Sequence, residues 1–275
     1  MQNPPKFDPA EPQDPAEPQA KGGETGGAES LPATRGPVGI VFGRTIESGR
    51  FDDRLGAAVT IRGAGFAIRQ GGLGGRRVAA IVSGESADET RRATEALIGG
   101  HRPAWVVAAG FATALDDRLR HGQILLADRI VGPDGREFLC KPPPGLATAG
   151  PKLHVGPLLT IDWAIFSPAD KRELCRQYAA PAADRQSLVV AEVCRRENIP
   201  FLAVRVISEE VDEELSAEVR RLASKPTLAR RIGAMAGALV RRPASAKDYW
   251  RHYERAVSAS AALARALAEI APQLR

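Results

Sequence analysis

The sequence predicts an α/β fold with a mainly parallel or mixed sheet, on three observations. Short apolar runs alternate with helical patterns from residue 37 onward. Two of those runs, VGIVFG (38–43) and AWVVAAG (104–110), are apolar at nearly every position, as strands buried on both faces are. The 275-residue chain is 44% hydrophobic, enough for one large core, and no segment inside 37–275 has the composition of a linker.

The elements follow in order. Residues 1–36 hold seven of the 21 prolines, the near-repeat DPAEPQDPAEPQ and a net charge of −3. They have too little apolar surface to offset chain ordering and are expected to be a disordered tail. Residues 37–275 then form one domain including its C-terminal helices. After the first strand, 57–84 reads as two or three strands with a glycine-rich turn at Gly71–Gly75, and 87–100 as a helix with an acidic start and a glycine stop. QILLADRIV (123–131) is a strand, 170–179 and 185–198 are helices, and PFLAVRVISE (200–209) is a strand. The segments 213–224, 227–240 and 246–270 complete a helical C-terminal part.

Composition excludes several classes. No stretch approaches 18 apolar residues, and the N-terminus lacks the basic and apolar regions of a secretory signal, so membrane insertion and export are not expected. Cys140, Cys175 and Cys194 are sparse and unpaired in spacing, which suits a reducing cytoplasm. Neither cysteines nor the four histidines show metal-ligand spacing, so neither metal nor other cofactor is expected. The body carries a net charge of +8, but its arginines are interspersed with acidic residues and few aromatics, so nucleic acid is not the expected partner.

Ligands of open α/β sheets bind beyond the carboxyl ends of strands. Three such ends carry polar residues: Gly43 and Glu47 after the first strand, Ser83-Gly84-Glu85-Ser86 after 78–82, and Ser208-Glu209-Glu210 after 200–207. Spacing alone supports a ligand-binding α/β domain, with solvated carboxylates and a helix cap at SGES as the bland alternatives.

The ordered blocks VGIVFGRTIE, VAAIVSGES, Gly110–Asp128 and Asp184–Glu209 resemble the purine-nucleoside phosphorylase and nucleosidase superfamily over about residues 37–240. The likeness is greatest to bacterial methylthioadenosine/adenosylhomocysteine nucleosidases and to hopanoid-associated phosphorylases. The resemblance implies a mixed sheet partly closed into a barrel, flanked by helices, a homo-oligomer, and cleavage of a purine nucleoside's N-glycosidic bond. That bond breaks through an oxocarbenium-like ribose, which calls for an acid at the purine, a carboxylate to activate water and polar groups for the sugar.

By resemblance, Glu47 matches the water-activating carboxylate. Glu209 stands where the family has an aspartate serving the purine and is one methylene longer. Ser208 and Arg205 match the serine and arginine of that final strand, and Ser83 with Gly84 matches the turn near the ribose. Trp163 or Phe166 would stack on the purine, or pack under a loop. Two departures alter the pattern. Arg185-Gln186 replaces a Met-Glu pair whose glutamate grips the ribose hydroxyls, and an inward Arg185 would repel the developing sugar cation. Gly110-Phe111 begins a run where relatives have Ser-Ala-Gly-Gly, and Ala108 stands where phosphorylases place an arginine. Water is therefore expected as nucleophile over phosphate, acting on an adenosine-derived nucleoside. The alternatives are a non-catalytic nucleoside binder or scaffold, and a phosphorylase for an adenosyl-linked lipid precursor.

Overall fold

Five strands close into a barrel in the structure, a computed structural model that describes residues 36–63, 65–143, 145–146, 152–165, 167–214 and 243–274. The ring runs β5 (Trp105–Ala114), β10 (Phe201–Glu209), β6 (Ile124–Val131), β8 (Leu153–Thr160) and β9 (Ala182–Asp184), with β9 returning to β5. From β5 the sheet continues through β1 (Val38–Phe42), β4 (Arg76–Val82), β3 (Phe66–Leu73) and β2 (Gly56–Gly63), while β7 (Glu137–Leu139) pairs with β6.

β1 lies parallel to both β4 and β5, and β5 lies parallel to β10. The carboxyl ends of four strands therefore gather at one edge, as the sequence-derived α/β topology requires. Along β5, Val106, Ala108 and Ala112 enter one apolar cluster while Val107, Ala109 and Phe111 enter the other, the two-residue alternation of a strand covered on both faces. Helices α2 (Ala87–His101) and α4 (Ser187–Arg196) cover the first cluster. Helix α5 (Pro243–Ile270) covers the second, with Leu263, Leu267 and Ile270 buried against it. Two shorter helices, α1 (Thr45–Asp52) and α3 (Pro168–Tyr178), stand at the strand-end edge.

The region 57–84 resolves into three strands. The expected turn at 71–75 narrows to Gly74 and Gly75, both at positive φ, whereas Gly71 and Gly72 lie inside β3. Among the elements absent from the sequence reading are α1, β7, β8 and β9. The expected tail (except Gly36), Phe166, residues 227–240 and all of 213–224 beyond Glu214 lie outside the described residues. No helix among the described residues is long and apolar enough to cross a membrane.

Candidate active site

The chain leaves β1 through Gly43 and Arg44 and turns at once into α1, which places Glu47 in the helix's first turn instead of in an open loop. Its Oε2 accepts hydrogen bonds from the backbone N–H groups of Gly43 (3.0 Å) and Arg44 (3.1 Å), tying the turn closed. A carboxylate is favoured there because orphan N–H groups give a helix N-terminus a partial positive charge. Oε1 accepts from Arg44 Nε at 3.3 Å, Arg44 Nη2 at 3.2 Å and the Phe111 N–H at 3.4 Å. The Arg44 guanidinium also lies 5.3 Å above the Phe111 ring.

Gly110 explains how β5 comes so close to this carboxylate. A Cβ there would fall 2.3 Å from Arg205 Nη1 and 2.9 Å from Glu47 Oε2, so only glycine leaves room for both groups. Arg205 pairs with Gly110 across the parallel β5–β10 register. Its guanidinium is buried and forms a 2.6 Å ion pair with Asp184, while Ser187 Oγ accepts from its Nε and Nη2. Asp184 is saturated in turn, accepting from Thr160 Oγ1 (2.6 Å), Ser187 Oγ (2.8 Å) and the N–H groups of Gln186 and Ser187. Full pairing is what allows two opposite charges to remain buried together. The cluster also anchors the start of α4 and decides which way its first residues face.

Gln186 faces inward and Arg185 outward. Gln186 Nε2 donates to the Gly84 carbonyl at 2.6 Å and lies 3.4 Å from Ser83 Oγ and 3.3 Å from Thr90 Oγ1. Its amide lies so close to Gly43 that a Cβ on that residue would sit 2.2 Å from Oε1. Arg185 is exposed and donates to the Asp162 carbonyl at 3.0 Å. The guanidinium thus extends toward the loop after β8 and away from the pocket floor.

A bulge in β10 shapes the opposite wall. The β5–β10 register shifts between Ile207 and Glu209, which leaves Ser208 as the extra residue. Bulges re-aim the side chains beside them. Ser208 donates to the Ala112 carbonyl at 3.4 Å, and Glu209 Oε2 accepts from Thr113 Oγ1 at 3.4 Å. Glu209 Oε1 receives a 2.6 Å bond from Lys171 Nζ, whose side chain is fully buried. The same ammonium donates to the carbonyls of Glu210 (2.9 Å) and Glu213 (2.6 Å), so all three of its N–H bonds are used.

These walls enclose a cavity of about 450 Å³ lined by Arg44, Glu47, Phe111, Trp163, Arg185, Gln186, Arg205, Ser208 and Glu209 among others. Ser83, Gly84 and Gly110 stand behind this lining, where Ser83 and Gly84 brace Gln186 and Gly110 spaces Arg205 from Glu47. Trp163 remains about half exposed in the loop after β8.

The sequence assigns no site role to Lys171, Asp184 or the C-terminal helix. A signal for Lys171 existed: it lies on the same helical stripe as Leu174, Cys175 and Tyr178, which pack inward. The helix read at 246–270 packs on the second cluster as α5, and it also reaches the site: His252, Arg255 and Ala256 line the cavity. Ser260 of the same helix accepts from the Arg50 N–H and donates to the Glu47 carbonyl, both at 3.3 Å, which fixes α1 from behind.

A family model described as the phosphorylase superfamily matches residues 44–242, well over half of the chain. Among solved structures, the 5′-methylthioadenosine/S-adenosylhomocysteine nucleosidase of S. pneumoniae, held with a transition-state inhibitor, is similar with a TM-score of 0.66. Its identity is 13%, over 87% of this chain and 100% of that one. The same kind of nucleosidase from Colwellia psychrerythraea, in complex with adenine, gives 0.65 at 17% identity over 87% and 96% of the two chains. A futalosine hydrolase mutant of Helicobacter pylori gives 0.57 at 18%, over 62% and 89%.

Proposed function

We propose, from the premise that this chain belongs to the phosphorylase superfamily, that it hydrolyses the N-glycosidic bond of an adenosine-derived nucleoside. The observation that carries the reading is the pair of carboxylates, Glu47 and Glu209, lining one cavity at the carboxyl ends of adjacent parallel strands β1, β5 and β10. About 450 Å³ is within the range of a nucleoside-sized site.

Each wall then has a task. Glu47 orients a water and takes its proton as the water adds to the anomeric carbon. Glu209, which shares a proton with Lys171 in one hydrogen-bonded pair, passes it to a ring nitrogen of the purine as the bond to the sugar breaks, and the proton that Glu47 took from the water restores the pair through solvent. Ser208 and the Trp163 ring face the base, and Gln186 supplies a neutral polar group to the sugar. The outward Arg185 removes the objection that its charge would sit beneath the sugar cation. Water is favoured over phosphate because the buried Ala108 stands where phosphorylases have an arginine, and Phe111 lies beneath Arg44.

A second reading, binding without turnover, draws on the dense hydrogen bonding of the Glu47 carboxylate. Adenine release from 5′-methylthioadenosine, S-adenosylhomocysteine and adenosine 5′-monophosphate, with and without phosphate, separates the readings. Release from at least one of the three without phosphate is expected. A strict phosphate requirement would instead indicate phosphorolysis, and tight binding with no release would favour the non-catalytic reading.

A further inference from the structure

Glu47 is over-supplied with donors. A carboxylate offers roughly four acceptor positions. Here five N–H groups converge on it: the backbones of Gly43, Arg44 and Phe111, and Nε and Nη2 of Arg44. No position is left for a water that must hand over its proton. The three backbone donors belong to the turn and to strand β5 and cannot leave. The Arg44 guanidinium can, since its side chain is 46% exposed and lines the cavity.

What draws it away must interact with it better than Glu47 and the Phe111 ring do. A ligand shifts such an equilibrium only through a difference in its affinity for the two states. A neutral nucleoside offers a guanidinium no charge, whereas an anionic group bonds it at least as strongly as the carboxylate it leaves. Other cations on the cavity wall are committed: Arg205 pairs with Asp184, and Arg255 with Glu213. Arg185, exposed at the rim with its bond to a backbone carbonyl, adds positive charge to the same cavity.

We propose that Arg44 is a specificity-determining residue selecting nucleosides that carry an anionic substituent, because only an anion draws its guanidinium off Glu47 and frees that carboxylate for water. The inference rests on the hydrolytic reading above. On release of the anionic product, Arg44 returns to Glu47 and the site is again closed to water activation.

The test is phosphate-free adenine release from adenosine and from adenosine 5′-monophosphate by wild type and Arg44→Gln, with thermal unfolding as a check on folding. Wild type is expected to favour the monophosphate in kcat/KM by about tenfold or more, the scale of one charge-assisted hydrogen bond. Arg44→Gln should reverse the order, with adenosine rising and the monophosphate falling by about tenfold each. If that variant unfolds, Arg44→Lys, which keeps the charge and loses the fork, should narrow the preference. Calorimetry should show weaker binding of the monophosphate to either variant. The inference fails if wild type favours adenosine, if the ratio is the same in both proteins, or if inorganic phosphate added to adenosine reproduces the gain. Release of adenine from adenosine at an unchanged ratio overturns the inference and leaves hydrolysis standing. No release by either protein from either compound, nor from 5′-methylthioadenosine, overturns both.

Discussion

At the scale of single residues, Gln186 is a brace as much as a ligand. Its Nε2 donates to the Gly84 carbonyl, a bond that a carboxylate in the same place would turn into a contact between two acceptors. Gln186→Glu, which restores the acidic residue of the resembling family, should therefore lower stability by about 1–3 kcal/mol, the cost of a buried acceptor left without its donor. Urea unfolding measures this directly, and an unchanged midpoint would mean that the side chain has turned toward the cavity. Gly43 and Gly110 belong to the same account, since Gly43 leaves room for Gln186, and Gly110 for both Arg205 and Glu47, to approach the backbone. Neither requirement is visible in a sequence, because a glycine reads the same whether it frees a turn or makes way for a guanidinium.

At the scale of elements, α3 and β10 are joined through one buried ammonium. Lys171→Met would leave the Glu209 carboxylate and the carbonyls of Glu210 and Glu213 without their donor. A loss of about 3 kcal/mol in unfolding free energy is expected, the lower end for a broken buried pair because Glu209 keeps some solvent contact. A loss below roughly 1 kcal/mol would place the pair with surface salt bridges. The apolar runs of β1, β4, β5 and β10 were legible because both faces of each strand are covered. β8 was not, because Gly156 and Pro157 interrupt it, and proline is seldom found inside a strand. The neighbouring strand accommodates them, its register shifting between Ala127 and Arg129 opposite that dipeptide. β9 is three residues long, too short for any periodicity. α1 carries Gly49 and little apolar surface, and its position depends on Glu47 bonding back to its own turn and on Ser260 of α5, a contact 213 residues away in sequence. The strand ends that frame the site were thus readable, while the packing that orients each side chain comes from long-range contacts.

At the scale of the whole molecule, the first apolar cluster, the one covered by α2 and α4, holds both Cys140 and Cys194 in a low-dielectric interior. Burial pushes both thiols up to about 12, from an ordinary 9.0. The folded protein keeps these protons while the unfolded chain releases them above pH 9, so this contribution to stability is complete below that value. It declines as pH rises toward 12, by about 1–2 kcal/mol per thiol near pH 10.5. Urea midpoints at pH 8 and pH 10.5 should therefore differ less in Cys194→Ala than in wild type, and an equal difference would contradict the burial argument. The same sheet that backs these thiols brings β1, β5 and β10 side by side and so sets Glu47 against the cavity. The most direct test of the central claim is the rate of phosphate-free adenine release by Glu47→Gln, measured beside nucleoside binding. Activation of water by the Glu47 carboxylate predicts a loss of about 10²–10⁴-fold in kcat with binding retained. A variant that releases adenine at the wild-type rate would contradict it.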